Sequence, residues 1–249
     1  MPRQARKKSC TDIYHVMLRG VNRQTIFYDA EDRKEFLKRL LKYKKELGFD
    51  LYAYCLMDNH IHLLLRSYEF GLDTLFRSLG ASYVHWYNKK YDRVGNLFQD
   101  RYKSETVEDE LYLMTVLRYI LRNPVSAGMC SCPGEYEYSS IREYVECDEW
   151  ITDIGFILGF VKIDDLIEYI NTDNNDKCID DNVVKRLPDA EIAKIIYKKY
   201  KLDDLNSEKS VRDAAVADML GQGVTIHQLS RVTGIPRSTI RSIKNRLRP

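Results

Sequence analysis

The segment MDNHIHLLL at residues 57–65 carries two histidines one residue apart. Its alternation is typical of a β-strand, in which residues i and i+2 point to the same face. His60 and His62 would therefore present two imidazole nitrogens side by side. This spacing suits a metal site, although a histidine among apolar residues is often an ordinary core residue. Two ligands are too few for a divalent ion, so a third has to come from elsewhere.

A helix ending near residue 123 offers candidates for the rest of such a site. In YILRN, Tyr119 and Asn123 are four residues apart and share a helix face. An amide oxygen suits a hard cation such as Mg²⁺ or Mn²⁺. A phenol beside that cation would serve as a nucleophile toward a phosphate. Spacing alone does not single out Tyr119, since the chain has 18 tyrosines, and Tyr112 on the same helix is a competitor.

The elements that must position these residues follow the order β-α-β-β-α-β-α. This order predicts an α+β fold with a ferredoxin-like antiparallel sheet and one added helix. Asp29 and Gly48 favour the ends of the first helix, and Pro124 with the glycine after it predicts the end of the last. The predicted strands are 11–20, 50–58, 60–67 and 102–107, and the predicted helices are 29–48, 72–91 and 108–123.

The composition changes after about residue 145. Residues 146–181 carry 11 acids against two lysines, which predicts an acidic, mostly helical connecting region over 146–205. Its short apolar stretches, DIGFILGF and DDLIEYI, favour short helices, and a polar break follows them at 171–182. Two further helices are predicted at 188–200 and 207–223.

Residues 225–249 fit a helix-turn-helix, and 206–249 are predicted to form a DNA-binding module closing an all-α C-terminal region. Gly234 suits the turn, and Ile235, Ile240 and Ile243 would anchor the second helix. The start of that helix would reach base edges and its later cations would touch phosphates. A plain helical hairpin with the same apolar spacing is the alternative. The candidate base-contacting residues are Arg237, Ser238, Thr239 and Arg241, and the candidate phosphate contacts are Lys244, Arg246 and Arg248.

Length and composition restrict the class of protein. The chain has 249 residues, a net charge of +2 and no apolar run long enough to span a membrane. Its basic N-terminus lacks the apolar core of a signal peptide, so a cytoplasmic protein with no membrane partner is expected. The six cysteines are dispersed, without a CxxC pair, which favours reduced thiols.

Four blocks of sequence resemble the REP-associated tyrosine transposases, members of the single-tyrosine HUH superfamily of IS200-like transposases. The resemblance covers roughly residues 11–145, which are expected to form the catalytic domain (1–145). It implies the ferredoxin-like fold, His60 and His62 as metal ligands, Tyr119 as nucleophile and Asn123 as the residue completing the metal site. Related transposases often carry glutamine at that last position. The blocks are RGVNRQTIF (19–27), AYCLMDNHIHLLL (53–65), FQDRYKSETVEDELYL (98–113) and RYILRNPVSAG (118–128).

The resemblance also implies a reaction and a substrate. Enzymes of this family cut single-stranded DNA, hold a 5′-phosphotyrosine intermediate and free a 3′-OH, so that cleavage and rejoining need no ATP. Single-stranded hairpin DNA at the catalytic domain and a divalent cation, Mg²⁺ or Mn²⁺, are thus expected. Cations near the motifs could hold the DNA backbone, or be ordinary surface charge. These residues are Arg19, Arg23, Arg101 and Lys103, with Asn22 and Gln24 as candidate base contacts.

Three hypotheses follow for the whole chain. The first is a metal-dependent DNA transposase or strand transferase with an added duplex-binding module. The second is a repeat- or operator-binding regulator whose catalytic residues are idle, and the third is a metal-dependent nuclease acting on RNA. The set of His60, His62 and Tyr119 favours the first, because a pure binding protein has no use for it. Whether the protein is a monomer or a homodimer that exchanges the tyrosine helix stays open.

Overall fold

The computed structural model describes residues 7–68, 71–99, 101–173, 176, 178, 179, 192, 195, 209–221, 224 and 226–246. The chain divides into two compact units, Met1–Asp181 and Asn182–Pro249. Among the described residues, no helix is both long and apolar enough to cross a membrane. The predicted helix at 188–200 lies outside the described residues except for positions 192 and 195, and Arg248 lies outside them too.

A four-stranded antiparallel sheet forms the centre of the first unit. Its strands are β1 (Ile13–Arg19), β2 (Asp50–Met57), β3 (His60–Arg66) and β4 (Lys103–Thr106), in the order β2-β3-β1-β4. The predicted α+β fold with an antiparallel ferredoxin-like sheet is confirmed. The two-residue turn Asp58-Asn59 joins β2 to β3, as its turn chemistry predicts.

Helices α1 (Ala30–Leu47) and α2 (Gly71–Lys90) cover one face of the sheet. Asp29 caps α1 by accepting a hydrogen bond from the Asp32 amide, and Gly48 ends it at φ 65°, in the left-handed region. The sheet contributes only apolar and tyrosine side chains to this core. They include Val16, Leu18, Ile61, Leu63 and Leu65, packed against Phe36, Leu40, Leu75 and Leu79.

Helix α3 (Glu110–Ser126) covers the opposite face of the sheet. The prediction that it ends at residue 123 is wrong, because Pro124 lies inside the helix. A proline removes one backbone donor from the last turn but does not prevent that turn from closing. The Ala127 amide still donates to the Asn123 carbonyl at 3.0 Å, and Gly128 follows at φ 70°.

Three short helices follow within the first unit, namely α4 (Ile141–Glu146), α5 (Ile154–Leu158) and α6 (Ile163–Asn171). Leu166 and Ile170 of α6 are fully buried in the same core as α3. Arg118 of α3 makes two hydrogen bonds of 2.8 Å to Asp176, and Arg122 donates to the Asn171 carbonyl at 2.7 Å and to Asp173. Residues after 145 therefore pack against the helix that carries Tyr119.

The second unit contains helices α7 (Lys209–Gly221), α8 (Ile226–Thr233) and α9 (Arg237–Arg246). Residues 234–236 join α8 to α9, and Gly234 takes φ 74°, as predicted for the turn. Ile235, Ile240 and Ile243 are buried with Leu229 and Met219 in a separate apolar core. The predicted C-terminal helical region is confirmed.

Candidate active site

The two histidines of β3 lie on the face of the sheet that α3 covers. In the strand register, His60 is opposite Arg19 and His62 is opposite Met17 on β1. Their ring centroids are 4.9 Å apart and the ring planes are nearly perpendicular, at 87°. His62 is fully buried, whereas His60 at the start of the strand is half-buried. The side-by-side arrangement expected from their spacing is present.

Tyr119 of α3 packs against this pair. Its ring lies edge-on to His62, with centroids 5.7 Å apart, and edge-on to a third histidine, His15 of β1, at 5.8 Å. Tyr119 itself is half-buried, at the border of the apolar core. The structure thus brings together the predicted nucleophile and the two predicted metal ligands within one chain.

The Nδ1 atom of each strand histidine contacts a polar neighbour. His60 Nδ1 is 2.6 Å from Asn59 Oδ1, and His62 Nδ1 is 2.9 Å from His15 Nε2. The Asn59 amide is oriented by a second bond, from its Nδ2 to the Arg23 carbonyl at 3.3 Å. Both Nε2 atoms of the strand histidines are buried inside the site. Histidines that ligate a metal through one ring nitrogen commonly hold a polar partner on the other.

Burial keeps the deeper imidazoles uncharged. Burial lowers the pKa of His15 to about 3, and burial followed by the nearby His60, His15 and Arg19 lowers the pKa of His62 well below its usual value. An uncharged imidazole has the lone pair that a metal ligand requires.

The donor set fits a divalent cation held by two imidazoles and a further oxygen ligand. The described residues contain no group of three or more His, Cys, Asp or Glu that could hold a metal ion. A third ligand from the described residues would therefore be a neutral oxygen, such as that of a side-chain amide. Asn123 lies one helical turn beyond Tyr119 and is half-buried, and its side chain makes no hydrogen bond to the described residues. Its side chain is therefore available, but the structure does not place it on the histidines.

Tyr112, the competing tyrosine, occupies a different environment on α3. Burial and the nearby Cys178 and Glu105 raise its pKa above the ordinary value. No ring contact joins Tyr112 to a histidine in the described part of the chain, in contrast to Tyr119. Of the two tyrosines, Tyr119 is thus the one that lies beside the histidines.

The loop after β1 carries three of the predicted DNA contacts. Gly20 is required there, because a Cβ at this position would lie 2.3 Å from the Gln24 carbonyl oxygen. Asn22 and Arg23 take positive φ values of 52° and 60°, which non-glycine residues seldom adopt. The Gly20 amide donates to the Asn59 carbonyl at 2.9 Å. The loop is thereby tied to the turn that precedes His60.

The remaining predicted DNA contacts are distributed over two regions. Arg19 lies at the end of β1 opposite His60, whereas Arg101 and Lys103 are exposed around the start of β4. The Gln24 side chain is engaged within the protein: its Oε1 accepts a hydrogen bond from Arg93, and its Nε2 donates to the Leu97 carbonyl. In the second unit, Thr239 is half-buried and Arg246 pairs with Asp213 at 2.8 Å. Among the predicted contacts on α9, Arg237, Ser238, Arg241 and Lys244 are exposed.

Sequence reasoning missed two residues of the site, His15 and Asn59. His15 is an isolated histidine in the segment TDIYHVMLRG, but it alternates in phase with Arg19. That phase predicts a shared face of the strand, and it is the one signal that could have found His15. Asn59 is typical of a turn, and its side-chain contact with His60 depends on the geometry of that turn.

One segment of the chain contains the ferredoxin-like sheet, the paired histidines and the tyrosine on the covering helix. Residues 9–123 match the family model described as "Transposase IS200 like". The predicted resemblance to the IS200-like transposases is confirmed over this segment. The match supports a transposase function, that is, an enzyme that processes DNA.

Several solved structures are similar to this chain, and two of them are transposases. A REP-associated tyrosine transposase bound to a REP hairpin is 15% identical, with a TM-score of 0.52, over 72% of this chain and 96% of that one. A transposase of Deinococcus radiodurans R1, described as putative, is 19% identical with a TM-score of 0.35, over 45% of this chain and 90% of that one. The first similarity shows a shared fold. Comparison with curated proteins gives no match.

Proposed function

We propose that the chain is a divalent-metal-dependent transposase that cleaves and rejoins single-stranded DNA with Tyr119 as its nucleophile. The observation that carries the proposal is the packing of the Tyr119 ring against His62, beside His60 on the same face of the sheet. A tyrosine in contact with a pair of imidazoles suits phosphodiester chemistry better than a simple binding role.

The proposed step is a transfer of the phosphodiester to the enzyme. The Tyr119 oxygen gives up its proton and attacks phosphorus, the bond between phosphorus and the 3′ oxygen breaks, and that oxygen leaves as a hydroxyl after taking up a proton. The DNA 5′ end is then joined to Tyr119 through a phosphodiester. The 3′-OH of another strand reverses the step, so rejoining consumes no ATP.

His60 Nε2, His62 Nε2 and the Asn123 amide oxygen are the atoms proposed to hold Mg²⁺ or Mn²⁺. When bound there, the cation supplies charge withdrawal from the scissile phosphate. The chain's own contribution is to keep the His60 imidazole oriented through Asn59. Tyr119 is in turn positioned by α3, which Arg122 links to the end of α6 and Arg118 links to Asp176 after it.

A single-stranded DNA hairpin is the proposed substrate, since the similar transposase structure contains a REP hairpin. The cations near the site would neutralise its phosphates, and Asn22 at the exposed tip of the first loop would contact a base. The phosphate contacts proposed are Arg19, Arg23, Arg101 and Lys103.

The second unit is proposed to bind duplex DNA through α9 as a helix-turn-helix module. The turn at Gly234 and the buried isoleucines give the required framework. The start of α9 presents Arg237, Ser238 and Arg241 to solvent, followed by Lys244 on the next turn. The boundaries proposed for the three regions are 1–145 for the catalytic region, 146–205 for the connecting region and 206–249 for the duplex-binding module. The connecting region up to Asp181 belongs to the same compact unit as the catalytic region.

A covalent-adduct assay tests the proposed reaction. The full chain is incubated with labelled single-stranded hairpins from the DNA flanking its gene and with Mg²⁺ or Mn²⁺, and then boiled in detergent. An adduct is expected with the wild-type protein and with Tyr112→Phe, but not with Tyr119→Phe. An adduct that persists in Tyr119→Phe overturns the assigned nucleophile. Tight binding without any adduct points to an idle regulator, and cleavage of RNA without an adduct points to a nuclease.

A further inference from the structure

His15 lies between the deeper metal-ligand candidate and the nucleophile candidate. It is fully buried, its Nε2 is 2.9 Å from His62 Nδ1, and its ring packs edge-on against Tyr119. It comes from β1, the central strand that pairs with both β3 and β4. None of its chemistry is used by the reaction proposed above, although it touches two of the residues assigned to that reaction.

The short contact between the two imidazoles restricts where their protons lie. One nitrogen of the pair has to donate and the other has to accept, because both rings are neutral and buried. If His62 Nδ1 carries the proton, its Nε2 has a free lone pair for a cation. If His15 Nε2 carries the proton, His62 is protonated on Nε2 and cannot ligate through that atom.

At His60, the partner side chain fixes which ring nitrogen carries the proton. The Asn59 oxygen can only accept, so His60 Nδ1 is the donor and its Nε2 has the lone pair. His15 does not fix the direction of its hydrogen bond in this way, because an imidazole nitrogen can either donate or accept. Its other nitrogen, Nδ1, is buried and makes no hydrogen bond to the described residues, so nothing among them opposes a proton on Nδ1 by donating to it.

We propose that His15 is a positioning residue that accepts a hydrogen bond from His62 Nδ1 and so directs the Nε2 lone pair of His62 toward the Mg²⁺ or Mn²⁺ site. This inference rests on the proposed function, since it concerns the same site. It assigns His15 a role that neither ring packing nor burial alone requires. The role depends on the acceptor atom, not on the aromatic ring.

Two substitutions separate the acceptor from the ring. In His15→Gln, the Gln Oε1 atom is as many bonds from Cα as Nε2 of histidine, so it supplies an acceptor without an aromatic ring. In His15→Phe, the ring is kept and the acceptor is lost. A positioning role predicts that Gln is tolerated and Phe is not, whereas a packing role predicts the opposite order.

The first measurement is the tautomer of His62 in the metal-free full chain, from ¹⁵N–¹H correlation spectra of the imidazoles. We expect the Nδ1–H form in the wild type and in His15→Gln, and loss of that preference in His15→Phe. An Nε2–H form in the wild type overturns the inference. This measurement does not depend on activity or on metal binding.

The second measurement is Mn²⁺ affinity, with Mn²⁺ alone as the probe. Loss of a partner that orients a ligating histidine typically weakens affinity about 10- to 100-fold. We expect a loss of this size for His15→Phe and a change under about threefold for His15→Gln, with exposed His85→Phe as the matched control. Equal affinities for the His15→Phe and wild-type proteins, or a larger loss with His15→Gln, overturn the inference.

Failure of the proposed function gives a different result. If the wild type and His62→Ala bind Mn²⁺ equally, the histidine pair is not the metal site, and the proposed metal dependence fails. If the wild type binds Mn²⁺ through His62 but is insensitive to His15→Phe, only the role of His15 fails. Thermal melting of each variant shows whether it is folded under the conditions used.

Discussion

The two faces of the sheet are built by the same strands but have different compositions. On the side of α1 and α2, β1 and β3 contribute apolar and tyrosine side chains to the core, Val16 and Leu63 among them. On the side of α3, the alternate positions of those strands carry His15 and His62, both fully buried, with Arg19 at the end of β1. A shift of one residue along a strand therefore separates this core from the face that carries the proposed active site, here called the reactive face.

This difference indicates how the fold accommodates a costly site. Burying polar groups is unfavourable unless they are paired, and the α3 face keeps its imidazoles paired to one another and to Asn59. On the α1 and α2 side, the buried charges belong to helix α1 and not to the strands: Asp32 pairs with Lys90, and Arg33 pairs with Asp58. The strand side chains in that core are apolar or tyrosine. Substitutions on the two faces should consequently affect different properties.

The largest effect is expected for Tyr119→Phe on the reactive face. Because phenylalanine keeps the ring that packs on His62, the protein should remain as stable as the wild type. Removal of a nucleophile should lower the rate of DNA cleavage by at least about 10³-fold. The measurement is the rate of strand cleavage at saturating Mg²⁺, with Tyr112→Phe as the control. Equal losses in both variants would show that α3 matters through packing alone.

The next effect tests the division between the faces directly. Leu63→Ala, in the core of α1 and α2, should lower the free energy of unfolding by about 2–5 kcal/mol, as for other large-to-small core changes. It should leave the Mn²⁺ affinity of the folded protein unchanged. Leu64→Ala should cost a similar amount but also weaken Mn²⁺ binding, since Leu64 is opposite His15 in the sheet. Denaturant unfolding and Mn²⁺ titration check both variants. Equal Mn²⁺ affinities of Leu63→Ala and Leu64→Ala would contradict the distinction between the faces.

A smaller effect is expected for Asn59→Ala at the edge of the reactive face. It removes the acceptor of the His60 Nδ1–H bond, and a loss of about 10-fold in Mn²⁺ affinity should follow. Asn59→Asp retains an acceptor oxygen and should bind Mn²⁺ at least as well as the wild type. The measurement is calorimetric titration of the full chain. If Asn59→Ala and the wild type have the same affinity, the polar partner of His60 does not support the metal site.

The smallest effect is expected outside the sheet, in helix α9, which is proposed to bind duplex DNA. Lys244→Ala in α9 should reduce the slope of log affinity for duplex DNA against log salt by about 1, as expected for one lost phosphate contact. Cleavage of a single-stranded hairpin should be unaffected. Duplex titrations at several salt concentrations provide the measurement. An unchanged slope, together with unchanged affinity, would argue against α9 as the reader.

The sequence was sufficient for the order of strands and helices and for the pairing of His60 with His62. Those features depend on local periodicity and on caps such as Asp29 and Gly48, which short stretches of sequence contain. The role of His15 could not be predicted, because its contact with His62 depends on the register between two strands that are distant in sequence. The predicted end of α3 is wrong because tertiary packing of buried Pro124 outweighs its local preference.

The anchoring of α3 by residues beyond 145 bears on how the enzyme can be dissected. A catalytic fragment cut at residue 145 would lose the apolar cover provided by Leu166 and Ile170. It would also leave Arg122, which is only 8% exposed, without the carbonyls of Ile170 and Asn171 that accept its hydrogen bonds. The smallest self-sufficient fragment should thus extend past Cys178, which is buried in the same core. Protease-trimming experiments should stop beyond this point and not at the boundary of the family match.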